Sequence, residues 1–309
     1  MIINYNEDNR VKESVLTLGN FDGVHNGHKF LISKMNDIAN NLNLKSVLIT
    51  FNPHTRFITD FDDKESFRII TDSKYKIDLL KELNIDYISV VEFDLEISKI
   101  DYRDFIDQIV SKYNPKVLLL GYDNKFGYKG MGNYESVKSY ISDKSYSMKV
   151  ELVDRYLDDK QKTKSSIIKK YILDGNIKQA NHSLGRTFKI SGNIVKGYEL
   201  GNTLGFPTAN LHLENKQQII PKVGVYYVNF RVGINNYKSL CNIGYSPTFK
   251  KDKKLSIETH ILNEKNIDLY GEYAEIEFID FIREEEEFSS KELLINQINK
   301  DISLINKIN

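Results

Sequence analysis

The chain reads as an α/β domain built on a parallel sheet, followed by a small antiparallel β-barrel and a C-terminal helix. Three observations predict this. Through the first half, short β-branched or apolar runs alternate with helical patterns, the texture of a parallel sheet covered on both faces. One run, KVLLLG (116–121), is apolar almost throughout, as a strand buried on both faces must be. Beyond Gly185 the runs alternate polar with apolar and follow one another across Gly, Asn and Pro turns, with few helical patterns between them. The boundary is therefore placed near Gly185, giving domains at 1–185 and 186–309.

Taken in order, the first-half strands are SVLTLG (14–19), KSVLITF (45–51), DYISVVEF (86–93), KVLLLG and MKVELV (148–153). Between them HKFLISKMNDIANNL, KYKIDLLKELN and YRDFIDQIVSKY repeat apolar residues at helical spacing. In the last of these Phe105, Ile106, Ile109, Val110 and Tyr113 share a face. SSIIKKYILDGNIKQANHSLG is a helical segment ahead of the boundary. FKISGNIV, GVYYVNFRV, YKSLCNI, LSIETHIL and AEIEFIDFI are the strands of the second part. SSKELLINQINKDISLINKI closes the chain as a helix with Ser289 and Ser290 as N-cap candidates.

Composition narrows the function classes. The formal charge is +0, and positive and negative side chains balance within each part, so neither shows the basic excess of a nucleic-acid binder. The acidic run Glu284 to Glu287 reads as a solvated surface. Cys241 is the only cysteine, which leaves no disulfide framework and no thiolate zinc site. No apolar stretch reaches membrane-spanning length, and MIINYNEDNR has no signal-peptide core; the expectation is a cytoplasmic soluble protein.

Two stretches carry chemistry. GNFDGVHNGH (19–28) follows the first strand and opens the first helix, the place in an open α/β sheet where phosphates bind. Its glycines let the backbone approach an anion, and His25 and His28 can donate to phosphoryl oxygens as charge develops. Of the alternatives, a histidine metal site lacks further ligands, since only Asp22 and His54 are available, while a glycine turn with two surface histidines stays open on this stretch alone. In NTLGFPTANL (202–211), Gly205 and Pro207 fix a turn. Thr208 and Asn210 alternate on an extended segment and offer hard oxygen ligands suited to Mg²⁺, although a polar strand start would read the same way.

GNFDGVHNGH resembles the G-x-F-D-G-x-H-x-G-H signature of bacterial bifunctional riboflavin kinase/FMN adenylyltransferases, or FAD synthetases. TFNPHT (50–55) and GYDNKFGYKGMG (121–132) are similar to further elements of that family, as is KSSIIK (164–169). In the second part, NTLGFPTANL looks like the family's G-x-P-T-A-N element. It is followed in family order by VGVYYV, NIGYSPTF, IETHIL, DLYG and FIREEEEF. The resemblance covers the chain from about Val15 to Ile302.

It implies a Rossmann-like nucleotidyltransferase domain that joins FMN to the AMP moiety of ATP, making FAD and releasing pyrophosphate. It also implies a six-stranded barrel that phosphorylates riboflavin to FMN. On this reading His25 and His28 stabilise the α-phosphate, and Gly19, Phe21, Asp22, Gly27, Asn52, His54, Asp123, Ser165, Ser166 and Lys169 line the nucleotide and flavin site. In the barrel Glu258 is the base that activates the ribityl hydroxyl. Thr208 and Asn210 hold Mg²⁺ with ATP, with Gly197, Gly201, Gly205, Pro207 and Asn242 around them, while His260 shares the face of Glu258 in a structural role.

The implied partners are riboflavin, FMN and ATP, with no nucleic acid and no membrane, in a monomer or transient homo-oligomer. Against the pattern of the family it resembles, the chain has Thr55 for proline, Asn124 for phenylalanine, Gly130 for arginine, Lys164 for serine, Lys169 for arginine, Leu200 for a loop arginine, and Glu286 or Glu287 for lysine. Two other readings share these motifs: a riboflavin kinase with a silent first domain, and a flavin-sensing regulator that binds without turnover.

Overall fold

The computed structural model describes residues 1–5, 7, 10–60, 66–158, 161–196, 206–246, 254–262 and 269–307. The chain divides into two compact units, Met1–Ser165 and Ser166–Asn309.

The first unit holds strands β1 (Ile2–Asn4), β2 (Ser14–Leu18), β3 (Lys45–Asn52), β4 (Tyr87–Glu92), β5 (Pro115–Gly121) and β6 (Lys149–Val153). They form one sheet in the order β1-β4-β3-β2-β5-β6, and every pairing is parallel. This is the Rossmann-like architecture implied by the sequence. The helices are α1 (Asn26–Leu42), the single turn α2 (Arg56–Thr59), α3 (Ser73–Lys81), α4 (Tyr102–Tyr113) and α5 (Tyr134–Asp143). The two core clusters explain why the strands are apolar without alternation. Leu16, Leu18, Val47, Ile49, Leu118 and Leu120 pack with α4 and α5 on one face. Val15, Leu48, Val117 and Leu119 pack with α1 and α3 on the other.

Local chemistry sets the helix ends. Asp72, Asp101 and Asn133 are extended N-cap residues whose side chains accept first-turn amides of α3, α4 and α5. Asn43 and Asn114 close α1 and α4 in the left-handed conformation that asparagine tolerates. The edge strand β1 and helix α5 lie outside the elements read from the sequence. A ribbon Leu157–Asp158 (β7) paired with Gln161–Lys162 (β8) ends the unit.

The second unit begins with α6, which starts at the last residue of the first unit (Ser165–Leu173), and α7 (Ile177–Leu184). The single helical segment expected here is broken at Gly175, whose φ is +79°. Six antiparallel strands follow: β9 (Phe188–Val195), β10 (Thr208–Leu213), β11 (Gly224–Val232), β12 (Asn235–Ser246), β13 (Lys254–Ile261) and β14 (Tyr273–Arg283). They close into a barrel in the order β10-β13-β12-β11-β14-β9. Tyr226, Val228, Phe230, Phe188 and Phe278 are fully buried in its interior, with Tyr226 edge-on to Phe278 at 5.2 Å. Val225, Tyr227 and Leu240 face outward and are covered by Ile298, Ile302 and Ile305 of α8 (Lys291–Lys307).

One buried ion pair holds that helix. Asp301, fully buried, accepts from Arg283 Nε at 2.9 Å and lies 2.9 Å from a second guanidinium nitrogen, and Gln297 donates to its other oxygen. Removing one partner strands a buried charge, so Asp301→Ala should cost about 3–5 kcal/mol in a urea titration of the full chain. A loss below 1 kcal/mol would show that the apolar face of α8 suffices.

Candidate functional site

The first site is built on the carboxyl ends of β2, β3 and β5. Leaving β2, the loop turns through Phe21 (φ +51°), Gly23 (φ +87°) and Val24 (φ +40°). A positive φ at phenylalanine and at a β-branched residue is costly, and such strain concentrates where function needs it. Three contacts hold the loop in place. Asp22 Oδ1 accepts the backbone N–H of Ile70 at 2.8 Å, Gly23 N–H donates to Thr71 Oγ1, and Ser165 Oγ donates to the Asp22 carbonyl at 2.9 Å.

His25 ends the loop as the N-cap of α1, its Nδ1 accepting the backbone N–H of His28 at 3.3 Å. That bond makes Nδ1 the acceptor, so in the neutral ring the proton sits on Nε2. The His28 ring stacks on His25 at 3.6 Å and 14°, and Phe21 closes the other side edge-on at 5.2 Å. A Cβ at Gly27 would lie 3.1 Å from the His25 ring, so any larger residue there would push on the imidazole. The two imidazoles are thus held parallel at the start of a helix, whose dipole favours anions.

The neighbouring elements reach the same place. Asn20 grips Thr55 twice, through Nδ2 to Oγ1 at 2.9 Å and through Oδ1 from Thr55 N–H at 3.1 Å. The family's proline could not donate that second bond. Asn52 ends β3 and accepts from Ser73, and His54 Nδ1 accepts the backbone N–H of Arg56 at 3.2 Å. Asn124 replaces an aromatic residue and donates to the Leu18 carbonyl at 2.8 Å, fastening the loop after β5 to the end of β2.

Asp123 pairs with Lys164 at 3.1 Å, and the ammonium of Lys164 also lies over Tyr122, as does Arg155. Hydrogen bonding to Tyr122 and the pair with Asp123 hold the Lys164 pKa above its ordinary value. Ser166 and Lys169 lie on α6 within the second unit.

Sequence reading missed Lys76. It sits on the core-facing side of α3 beside Leu79 and Leu80, 5% exposed. Its ammonium donates to the carbonyls of Phe51 (2.8 Å) and Asn20 (3.2 Å). Burial pulls its pKa down to about 8, against the pull of Asp22 toward the charged form. The signal was present, since a lysine four residues before a buried leucine lies on the apolar stripe.

The second site lies on the outward side of three adjacent strands. In β13 Ile257, Thr259 and Ile261 are buried, while Glu258 and His260 face the other way. Glu258 is in register with Asn210 of β10 on one side and Asn242 of β12 on the other, and Thr208 with His260. His260 Nδ1 donates to the Pro207 carbonyl at 2.9 Å and meets Phe206 edge-on at 5.3 Å, which anchors Phe206 and Pro207 ahead of Thr208.

Glu285 was also missed, being read as part of a solvated run. Although exposed, it lies over Gly244, where a Cβ would sit 1.8 Å from its carboxylate, and it accepts weakly from Asn242 at 3.4 Å. Its neighbour Glu284 is bonded to Lys222. Burial raises the Glu258 pKa, the Ser256 and Thr208 hydroxyls oppose this by hydrogen bonding, and the negative charge of Glu285 adds to the rise. Gly197, Gly201 and Gly205 lie outside the described residues, as does Leu200.

An FAD synthetase family model matches residues 7–167, and a riboflavin kinase family model matches residues 184–309. The chain belongs to the bifunctional riboflavin kinase/FMN adenylyltransferase family. It is 34% identical to the Listeria monocytogenes protein of that name over 93% of this chain and 90% of that one. It is likewise 34% identical to the Bacillus subtilis protein and 32% identical to that of Escherichia coli K12, again covering 90% of each. A solved structure titled as a macrolide-efflux protein from Streptococcus pneumoniae matches with TM-score 0.86 at 27% identity, covering 98% of both chains. Among the described residues no helix is long and apolar enough to cross a membrane.

The depressed Lys76 pKa makes a prediction about stability. Below about pH 8 the ammonium is charged in both the folded and unfolded chain, and its burial cost is fully present. Between about 8 and its ordinary 10.5 only the unfolded chain keeps the proton, so the cost is relieved as pH rises. Wild type should therefore gain stability relative to Lys76→Met from pH 7.5 to 9.5 in urea titrations; a flat or falling difference would contradict the shift.

Proposed function

We propose that the chain carries out two successive reactions, phosphorylating riboflavin to FMN in the barrel and adenylylating FMN to FAD in the N-terminal unit. The observation that carries this reading is the register of the barrel. It sets a carboxylate, Glu258, between the amides of Asn210 and Asn242, with Thr208 one step along. A site that only binds flavin has no need of a base placed there.

In the kinase step, Glu258 takes the proton of the 5′-hydroxyl of riboflavin as its oxygen attacks the γ-phosphorus of ATP, and ADP leaves. A base that burial has made more basic than an ordinary carboxylate suits that proton transfer. The oxygens of Thr208 and Asn210 are a donor set that fits Mg²⁺, and they would hold it with ATP. Bound there, the ion would neutralise phosphate charge.

In the adenylyl-transfer step, an FMN phosphate oxygen attacks the α-phosphorus of ATP in line and pyrophosphate leaves. The protein needs no nucleophile of its own. His25, donating from Nε2, and the stacked His28 would stabilise the crowded phosphoryl oxygens. Asp22, Ser165 and Asn20 hold the loop that carries them. Phe21, Gly19 and Gly27 shape it, and Asn52, His54 and Asp123 would bound the site from β3 and β5.

One observation favours the narrower reading of a kinase with a silent first unit: Lys164, where the family has serine, engages Asp123. Chromatography of the flavins formed from riboflavin, ATP and Mg²⁺, with a parallel reaction from FMN, separates the readings. FMN followed by FAD supports both sites, FMN alone supports the narrower reading, and no product removes both enzyme readings.

Two further outcomes are expected. The base must be ionised, so kinase kcat/KM should fall as pH drops through the raised Glu258 pKa. Glu285→Gln, which removes the neighbouring negative charge, should move that acid limb to lower pH; an unmoved limb would exclude the charge effect. In the first site, His25→Ala should cost about 1 kcal/mol through the lost cap and His25→Asn, which keeps an acceptor, much less. Both should slow FAD formation about 100-fold or more. Full activity in His25→Asn would reduce His25 to a cap.

A further inference from the structure

We infer that Lys76 is a positioning residue for adenylyl transfer: its buried ammonium ties the carboxyl end of β2 to that of β3 and holds the two loops of the site at a fixed separation. The inference rests on the adenylyltransferase reading of those loops.

A lysine is rarely buried to 5% without a carboxylate to bond, because an ammonium taken from water needs compensation. Here both acceptors are backbone carbonyls, Phe51 at 2.8 Å and Asn20 at 3.2 Å, and Asp22 acts on the charge without a hydrogen bond to it. A methionine or leucine at this position of α3 would fill the space with no desolvation cost. What the ammonium adds is a cross-link between two parallel strands just past the end of their mutual ladder, where Leu18 pairs with Ile49.

The residues on either side of the cross-link are those of the site. Asn20 precedes Phe21, whose left-handed backbone brings its ring edge-on to His28, and His28 stacks on His25. Phe51 precedes Asn52 and the turn that carries His54. The Asn20 peptide is the common node. Its carbonyl also accepts from Thr50 Oγ1 at 3.3 Å, and its side chain holds Thr55. Without the ammonium, the Phe51 carbonyl loses its side-chain donor and the Asn20 carbonyl keeps only the weak bond from Thr50. A shift of a fraction of an ångström there reaches the imidazoles through Phe21, and in-line transfer is sensitive to displacement on that scale.

The test uses the full chain and follows both reactions in one preparation, so that riboflavin phosphorylation reports folding. Lys76→Met should lower kcat for FAD formation from FMN 10- to 100-fold, with KM for ATP and FMN changed less than 3-fold and riboflavin phosphorylation unchanged. In Lys76→Ala, added n-propylammonium should restore FAD formation several-fold, whereas 1-propanol, of similar size but uncharged, should not. The alanine chain with and without the amine gives the reading within one preparation even if the methionine chain folds poorly.

Wild-type rates in Lys76→Met, or an alanine chain indifferent to the amine, would overturn the inference while leaving the two-reaction reading intact. Wild type that forms no FAD from FMN would overturn both.

Discussion

Strand β13 is hydrogen-bonded to β10 on one side and to β12 on the other, and this pairing places every side chain proposed for the kinase chemistry. Antiparallel register puts residues directly opposite one another within about 5 Å, on the same face. A slip of one residue in either ladder would turn Glu258 away from Asn210 and Asn242 and put Ile257 in its place. Closure of the barrel leaves no free edge at which such a slip could begin. The aromatic interior around Tyr226 and Phe278 and the buried Arg283–Asp301 pair secure that closure and the covering helix, and Arg283 leads into the segment that lays Glu285 over Gly244.

The N-terminal unit solves a related problem with parallel strands. β2 lies between β3 and β5, so three loops that are far apart in sequence emerge side by side at the carboxyl ends. Here the precision comes from polar contacts beyond the sheet. Asn20 reaches Thr55, Asn124 reaches Leu18, Ser165 reaches Asp22, and Lys76 reaches both Asn20 and Phe51. Each contact replaces water with a directed bond at a backbone that the sheet no longer constrains. The strained dihedrals of Phe21 and Val24 persist because these contacts over-determine the loop.

The departures from the family pattern take on physical meaning in this setting. Thr55 supplies an N–H that proline lacks, and Asn124 supplies a donor where the family has an aromatic ring. Both strengthen the loop network. Lys164 differs in kind, since it places a cation on Asp123 and against Tyr122 rather than offering a hydroxyl.

Much of the fold was legible in the sequence because hydrophobic periodicity is a local property. β2 to β6, α1, α3, α4, five of the barrel strands and the last helix fall where the patterns put them. The strand β1 is three residues at a sheet edge, too short for a period, and α5 hides its apolar stripe among serines and tyrosines. β10 is half polar because Thr208, Asn210 and His212 alternate with Ala209, Leu211 and Leu213 along it.

GNFDGVHNGH, NTLGFPTANL, NIGYSPTF and IETHIL were equally legible, so His25, His28, Thr208, Asn210, Asn242 and Glu258 could be proposed without coordinates. The tertiary structure alone decided that Glu258 lies between two amides, that a helix cap sets the His25 tautomer, and that Glu285 reaches over Gly244. It also decided that Lys76 is buried between two carbonyls. These facts depend on which strands pair and which loops meet, which arises from contacts between residues far apart in the chain and leaves no local pattern to read.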